Sequence, residues 1–294
     1  MNSQTDIYKL CNFYGFNKVK TPKVKIFILS IFGGFFVGLG ALVSSICKYN
    51  FYDGKAQYYC GLVFPIGIML VYITGAELFT EDCLLFISFY HKAITLLEML
   101  LTWLIVFIGN FIGAILLALL VAYGHIPNMF EVHLAQEIIN NGISKCSLDF
   151  TEAFIRALLC NFYNCLAVWV SLGGRDLRSM ILGLWLPTFV IAACELEHCV
   201  ANIYYITAGL FTSYEYGLDS TTLTWGRLFY KNIIPVVIGN LLGGSALIGV
   251  GYSFVFSEPD NTSNEKGNNN NNDNSQESRR DLSPDLNTLN TMNQ

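Results

Sequence analysis

Residues Cys60 to Tyr90 read CGLVFPIGIMLVYITGAELFTEDCLLFISFY. A plain membrane-spanning helix needs roughly 20 mostly apolar residues. This run is longer, and its middle carries Gly75, Glu77, Glu81 and Asp82. Ionisable residues within a span are costly and mark function by default. Irregular backbone at membrane depth is tolerated only where it lines a cavity or packs inside protein. The run therefore reads as a helix broken at Thr74-Gly75-Ala76-Glu77-Leu78-Phe79-Thr80. A second run, Met180 to Phe211, has the same form, interrupted at Glu195-Leu196-Glu197-His198-Cys199-Val200-Ala201-Asn202.

Four simpler apolar runs surround these two: Ile26 to Cys47, Met99 to Tyr123, Phe150 to Leu172 and Leu228 to Phe256. The expectation is an all-α membrane protein of six transmembrane helices, the second and fifth broken. Composition agrees. Of 294 residues, 53 % are hydrophobic and only 13 % charged, about half the charged share of a soluble domain. A net charge of −5 speaks against a nucleic-acid binder, which wants a basic surface. Nine cysteines, most of them inside apolar runs, read as small buried hydrophobes rather than a disulfide framework or zinc site.

Three parts are expected: a cytoplasmic N-terminal arm over 1–25, a transport domain over 26–256, and a disordered Asn-rich cytoplasmic tail over 257–294. The tail is poor in aromatics and contains the run Asn268 to Asn272, so it cannot bury enough apolar surface to offset its ordering entropy. Asn261-Thr262-Ser263 matches a glycosylation acceptor, which a cytoplasmic tail would not present to the enzyme. Lysine and arginine near the span ends set orientation. One side holds Lys9, Lys18, Lys20, Lys23, Lys25, Lys92, Arg175 and Arg178, the other Lys48, Lys55, Lys145, Arg227 and Lys231. This bias puts both termini in the cytoplasm.

The third and sixth runs share a motif. Gly109-Asn110-Phe111-Ile112-Gly113 parallels Gly239-Asn240-Leu241-Leu242-Gly243, with small residues at i and i+4 that let helices approach closely. Two groups of three spans, each with its second span broken, predict inverted repeats around a pathway at the bilayer midplane. His198 is the one histidine in a span interior, and histidine is the side chain most easily moved across neutral pH. Cys194 and His198 lie four apart but lack a third ligand, so no metal is expected. No cofactor motif appears.

These motifs in this order resemble the formate–nitrite transporter family: Thr74 to Thr80, Cys160-Asn161 with Cys165-Leu166-Ala167, Glu197-His198 with Ala201-Asn202, and Gly239-Asn240. The likeness runs from about Lys25 to Phe256 and is most similar to the eukaryotic, apicomplexan-parasite members that export lactate with a proton. It implies a homopentamer of aquaporin-like protomers in the plasma membrane, each with its own pathway. The family's central histidine falls on His198, its vestibule lysine on Lys145 and its first-loop threonine on Thr80. Asn161, Asn202 and Glu197 match polar positions beside the histidine. The resemblance places an apolar cytoplasmic constriction at Phe64, Ile68, Val71 and Leu78, with Phe79 in the loop itself. Three positions depart from the family pattern. Glu81-Asp82 stand where the family has Gly-Asn, Asn164 replaces an aliphatic residue of the outer constriction, and Glu195 adds an acid near His198.

The implied function is transport of small monocarboxylates such as formate and lactate, coupled to protons, with passage as the neutral acid. The alternative is an anion channel for formate, nitrite or hydrosulfide without obligatory proton coupling. A water or glycerol channel would want Asn-Pro-Ala in the breaks, and neither break has it. An intramembrane enzyme would want Gly-x-Ser-Gly or His-Glu-x-x-His, which are absent.

Overall fold

The computed structural model describes residues 1–51, 55–130, 133–220 and 222–257, apart from the side chains of Phe130 and His133. The tail from 258 onward, with Asn261 and the asparagine run, lies outside the described residues. Every regular element among the described residues is helical. In chain order these are α1 (Gln4–Lys20), α2 (Lys23–Asn50), α3 (Ala56–Val63), α4 (Pro65–Thr74), α5 (Leu85–Tyr90), α6 (Leu96–Tyr123), α7 (His133–Ser147), α8 (Phe150–Leu172), α9 (Leu177–Ala193), α10 (Cys199–Tyr216) and α11 (Trp225–Phe256). α11 contains two π-helical stretches, Leu228–Ile233 and Leu242–Val250.

Five helical segments among the described residues are long and apolar enough to cross a membrane: α2, the continuous α3–α4 pair, α6, α8 and α11. Side-chain caps mark the starts of α6 and α8. Thr95 and Glu98 form a reciprocal capping box at α6, and Asp149 accepts from Glu152 N at α8, each satisfying amides that the helix leaves free. The expected second span resolves into α3–α4, an irregular stretch over 75–80, and a short 3₁₀ turn at Glu81–Leu84 leading into α5. The expected fifth span resolves into α9, an irregular stretch over 194–198, and α10. The first interruption lies where expected; the second is shorter than the expected Glu195–Asn202, because Cys199 to Asn202 already form the first turn of α10.

Two helix pairs carry the packing: α2 with α6, and α8 with α11. Each depends on the second glycine of its motif. A Cβ on Gly113 would stand 1.9 Å from Ile31 O of α2, and one on Gly243 would stand 2.1 Å from Leu158 O of α8. No side chain fits those gaps, so the backbones touch directly.

Two further helices, α1 and α7, lie outside the expected spans. α7 carries Lys145 in its last turn, so that residue is helical rather than part of a loop. α1 makes the expected N-terminal arm a docked helix: Ile7, Tyr8 and Cys11 are buried with Trp169, Leu172 and Ile248, and Tyr252 and Phe256 pack on the same cluster. The first helix and the end of the last therefore share one end of the bundle.

Candidate transport pathway

The two interruptions are closed and held in the same way. Gly75 takes a left-handed φ of 71°, and Ala76 N donates back to Val71 O. Glu195 takes a left-handed φ of 50°, and Leu196 N donates back to Ile191 O. Glycine adopts such a φ freely, whereas a glutamate there is strained. Asn110 then braces the first stretch. Its Nδ2 donates to Ser30 O (2.7 Å) and Glu77 O (2.8 Å), and its Oδ1 accepts from Phe79 N (2.9 Å). Asn240 braces the second. Its Nδ2 donates to Ala157 O (2.8 Å) and Glu197 O (3.0 Å), and its Oδ1 accepts from Cys199 N (2.9 Å). The Gly-Asn pairs therefore do more than let helices pack closely. The asparagines supply backbone partners that a broken helix lacks and that a membrane cannot provide.

His198 sits at the mouth of the second stretch and is 1 % exposed. It is the N-cap of α10, with Nδ1 accepting from Ala201 N at 3.3 Å. With Nδ1 used as an acceptor, the ring proton belongs on Nε2. Nε2–H then donates to Thr80 Oγ1 at 3.0 Å, and Asn164 Nδ2 donates to the same oxygen at 3.1 Å. The threonine oxygen thus receives two hydrogen bonds from protein, and its own O–H is left to donate.

Beside the histidine lies a buried ion pair. Lys145 Nζ is 2.6 Å from Glu197 Oε1, with Glu197 itself 1 % exposed. Asn202 Nδ2 donates to Glu197 Oε2 (2.6 Å) and to Asn232 Oδ1 (3.1 Å), and Asn232 Nδ2 donates to Lys145 O (2.8 Å). Asn202 and Glu197 therefore position the lysine rather than the ring. Asn161 Nδ2 donates to Asn240 O at 2.7 Å, so it braces α11 instead of meeting the histidine. Asn232 belongs to this network and was not foreseen; no motif in the sequence singles it out.

Two cavities flank this centre. The first, about 170 Å³, is lined by Lys48, Lys145, Glu195, Glu197 and His198. Each of its cations has a carboxylate within 4 Å: Lys48 has Glu137 (3.8 Å) and Glu195 (3.7 Å), and Arg156 has Glu152 (2.5 Å). Its field is therefore dipolar rather than that of a bare lysine. Glu195 points to Gln57 and Lys48 and is held away from the ring. The second cavity, about 380 Å³, is lined by Lys18, Val71, Glu77, Glu81 and Asp82. Lys18 of α1 forms ion pairs with Glu77 (2.5 Å) and Asp82. Between the cavities Ile68, Leu78, Phe79 and Thr80 are all buried, and Phe79 stacks edge-on against Phe107.

Two constriction residues differ from expectation. Phe64 lines the first cavity with Lys145, not the second with Val71. The α3–α4 helix runs past both cavities, and Phe64 and Val71 lie about 10 Å apart along it at the usual helical rise. Asn164 lines neither cavity. Along α8, Arg156 lines the first cavity and Val168 the second, and Asn164 lies one turn from Val168, bonded to Thr80. Its Nδ2 meets the Thr80 hydroxyl, while its Oδ1 is buried without a partner.

A profile of the family described as "Formate/nitrite transporter" matches residues 5–254. A formate channel of Bacillus thuringiensis is 32 % identical over 242 residues, covering 81 % of this chain and 89 % of the relative. A formate-nitrite transporter of Plasmodium falciparum is 29 % identical over 266 residues, covering 85 % and 84 %. A solved pentameric formate channel with formate bound superposes with a TM-score of 0.71 at 26 % identity, covering 80 % of this chain and 98 % of that one. These relatives are transporters and channels rather than enzymes.

Proposed function

We propose a mechanism from one premise: the chain belongs to the formate/nitrite transporter family and is an integral membrane protein. It moves small monocarboxylates such as formate and lactate together with protons, and the species that crosses is the neutral acid. It works as a homopentamer of aquaporin-like protomers built from two inverted three-helix repeats, in the plasma membrane with both termini cytoplasmic. The matched bracing by Asn110 and Asn240 supports the repeat, and the shared end of α1 and α11 supports the common side of the termini.

The observation that carries the mechanism is the buried Asn164–Thr80–His198 chain between the two cavities. A carboxylate enters the first cavity and meets Lys145, one of whose three N–H groups is taken by Glu197. Going further as an anion would cost several kcal/mol even after relaxation. Desolvation raises the substrate's own pKa, and it takes up a proton. The neutral acid then passes Thr80, whose free O–H donates to the substrate carbonyl while His198 and Asn164 hold the hydroxyl oxygen. Ile68, Val71, Leu78 and Phe79 exclude water and ions from the slit.

The test is uptake of labelled formate, lactate and nitrite into proteoliposomes at two external pH values, with the membrane potential clamped. Electrically silent flux that rises as external pH falls is expected. Formate-dependent current without pH dependence would overturn the proton-coupled reading in favour of an anion channel.

A further inference from the structure

The second cavity holds an excess of carboxyl groups that transport as described so far does not use. Glu77, Glu81 and Asp82 line it, and Lys18 is the one cation among its described lining residues. One lysine against three carboxylates leaves two negative charges if all are ionised. Lys18 divides its ammonium between Glu77 and Asp82, and among the described residues no cation forms an ion pair with Glu81. Glu81 Oε1 is buried and has no hydrogen-bond partner. Asp82 is 2 % exposed, and its Oδ2 is likewise without a partner. Glu81 as a whole is half-buried, but a carboxylate oxygen buried with neither cation nor donor is expensive. A proton on the carboxyl relieves that cost. No group of three or more His, Cys, Asp or Glu among the described residues is arranged to hold a metal ion, whereas a proton needs only the one carboxyl.

We propose that Glu81 is a proton-carrying carboxyl of the second cavity and exchanges its proton with the acid that passes Thr80. This rests on the transport reading above. The neighbouring ionisable groups do not take the task away. α1 presents Cys11, Tyr14 and Lys18, and α4 presents Tyr72. α8 contributes Cys165, whose thiol donates to Thr80 O, and α9 presents only Met180. The Leu242–Val250 stretch of α11, which packs on the Glu81–Leu84 turn, has no ionisable side chain. Glu81 follows Thr80 directly, so its proton sits at the end of the dry slit. For substrate entering from this side, the Glu81 O–H bond breaks as an O–H bond forms on the substrate carboxylate. The Glu81 carboxylate left behind shares the cavity with Lys18 and is reprotonated from cavity water. In the other direction Glu81 first releases its proton to cavity water, then takes the proton of the arriving neutral acid, and the substrate leaves as the anion. The sum is one acid and no net charge.

The experiment uses the full-length chain in lipid nanodiscs for infrared titration and in proteoliposomes for formate flux. Wild-type protein should show a protonated-carboxyl C=O band at neutral pH that fades on alkalinisation. Glu81→Gln should lose that band, and Glu81→Asp should restore it. In vesicles, Glu81→Gln should slow formate flux roughly a hundredfold or more, the scale of losing a positioned acid–base group, and flatten its pH profile. Glu81→Asp should recover both. A band that persists unchanged in Glu81→Gln would overturn the proposal. So would flux that rises at every pH in that variant, since Glu81 would then be a fixed negative barrier. Wild-type vesicles that move no formate would fell the transport reading instead, and the infrared band would still decide whether Glu81 carries the proton.

Discussion

His198 has two partners, and substitutions separate them. Nδ1 caps α10 and Nε2 meets Thr80. Asparagine is a good N-cap and phenylalanine is none. His198→Asn should therefore keep near-native stability, whereas His198→Phe should lose about 1 kcal/mol through the cap alone, read by thermal unfolding in detergent. Both should lose the wild-type pH dependence of weak-acid flux. A wild-type profile between pH 5 and 8 in His198→Phe would remove the histidine from the mechanism. Lys145 behaves differently because its partner is buried. Lys145→Ala strands the Glu197 carboxylate, and breaking such a pair costs about 3–5 kcal/mol. Adding Glu197→Gln should recover most of that stability without restoring uptake at low substrate concentration. A single variant as stable as wild type would show that the pair is solvated. The sequence singled out the histidine and the lysine as residues of unusual type in apolar surroundings. It had no means of pairing Lys145 with Glu197, 52 residues later.

At the level of elements, the broken helices depend on their asparagine braces. Each of Asn110 and Asn240 satisfies three buried backbone groups. An unsatisfied buried group costs about 1–3 kcal/mol, so Asn110→Ala and Asn240→Ala should each lose several kcal/mol and fall in folded yield, measured by size-exclusion profile and melting temperature. Asn164→Ala removes one hydrogen bond to Thr80 and should cost far less. Equal melting temperatures for all three variants would contradict the bracing role. The interruptions themselves were legible because glycine and acidic residues stand out in an apolar run. The braces were not, because Gly-Asn reads locally as a packing motif, and only the fold brings Asn110 to Phe79 and Asn240 to Cys199.

For the whole molecule, the governing feature is an apolar exterior. α6 exposes a stripe of Leu97, Leu101, Leu104 and Ile108, and α9 exposes Leu182 and Leu186. Such a surface must face lipid or another protomer. Five copies of a 32.9 kDa chain are expected in mild detergent, measured by native mass spectrometry. A stable monomer as the sole species would remove the pentamer from the proposal.

The sequence by itself determined the class of the protein and the places where its helices break. Both follow from one-dimensional physics: apolar runs long enough to cross a bilayer, and glycine or charge where a continuous helix cannot be sustained. Tertiary structure decided what each polar group is for. Asn161 turned out to hold α11, Phe64 belongs to the Lys145 cavity, and Asn164 bonds Thr80. Lys18, on a helix outside the spans, takes up Glu77 and Asp82 and leaves Glu81 alone. The worth of a buried polar group is set by its partners across the bundle, and the chain order does not contain those partners until the helices have packed.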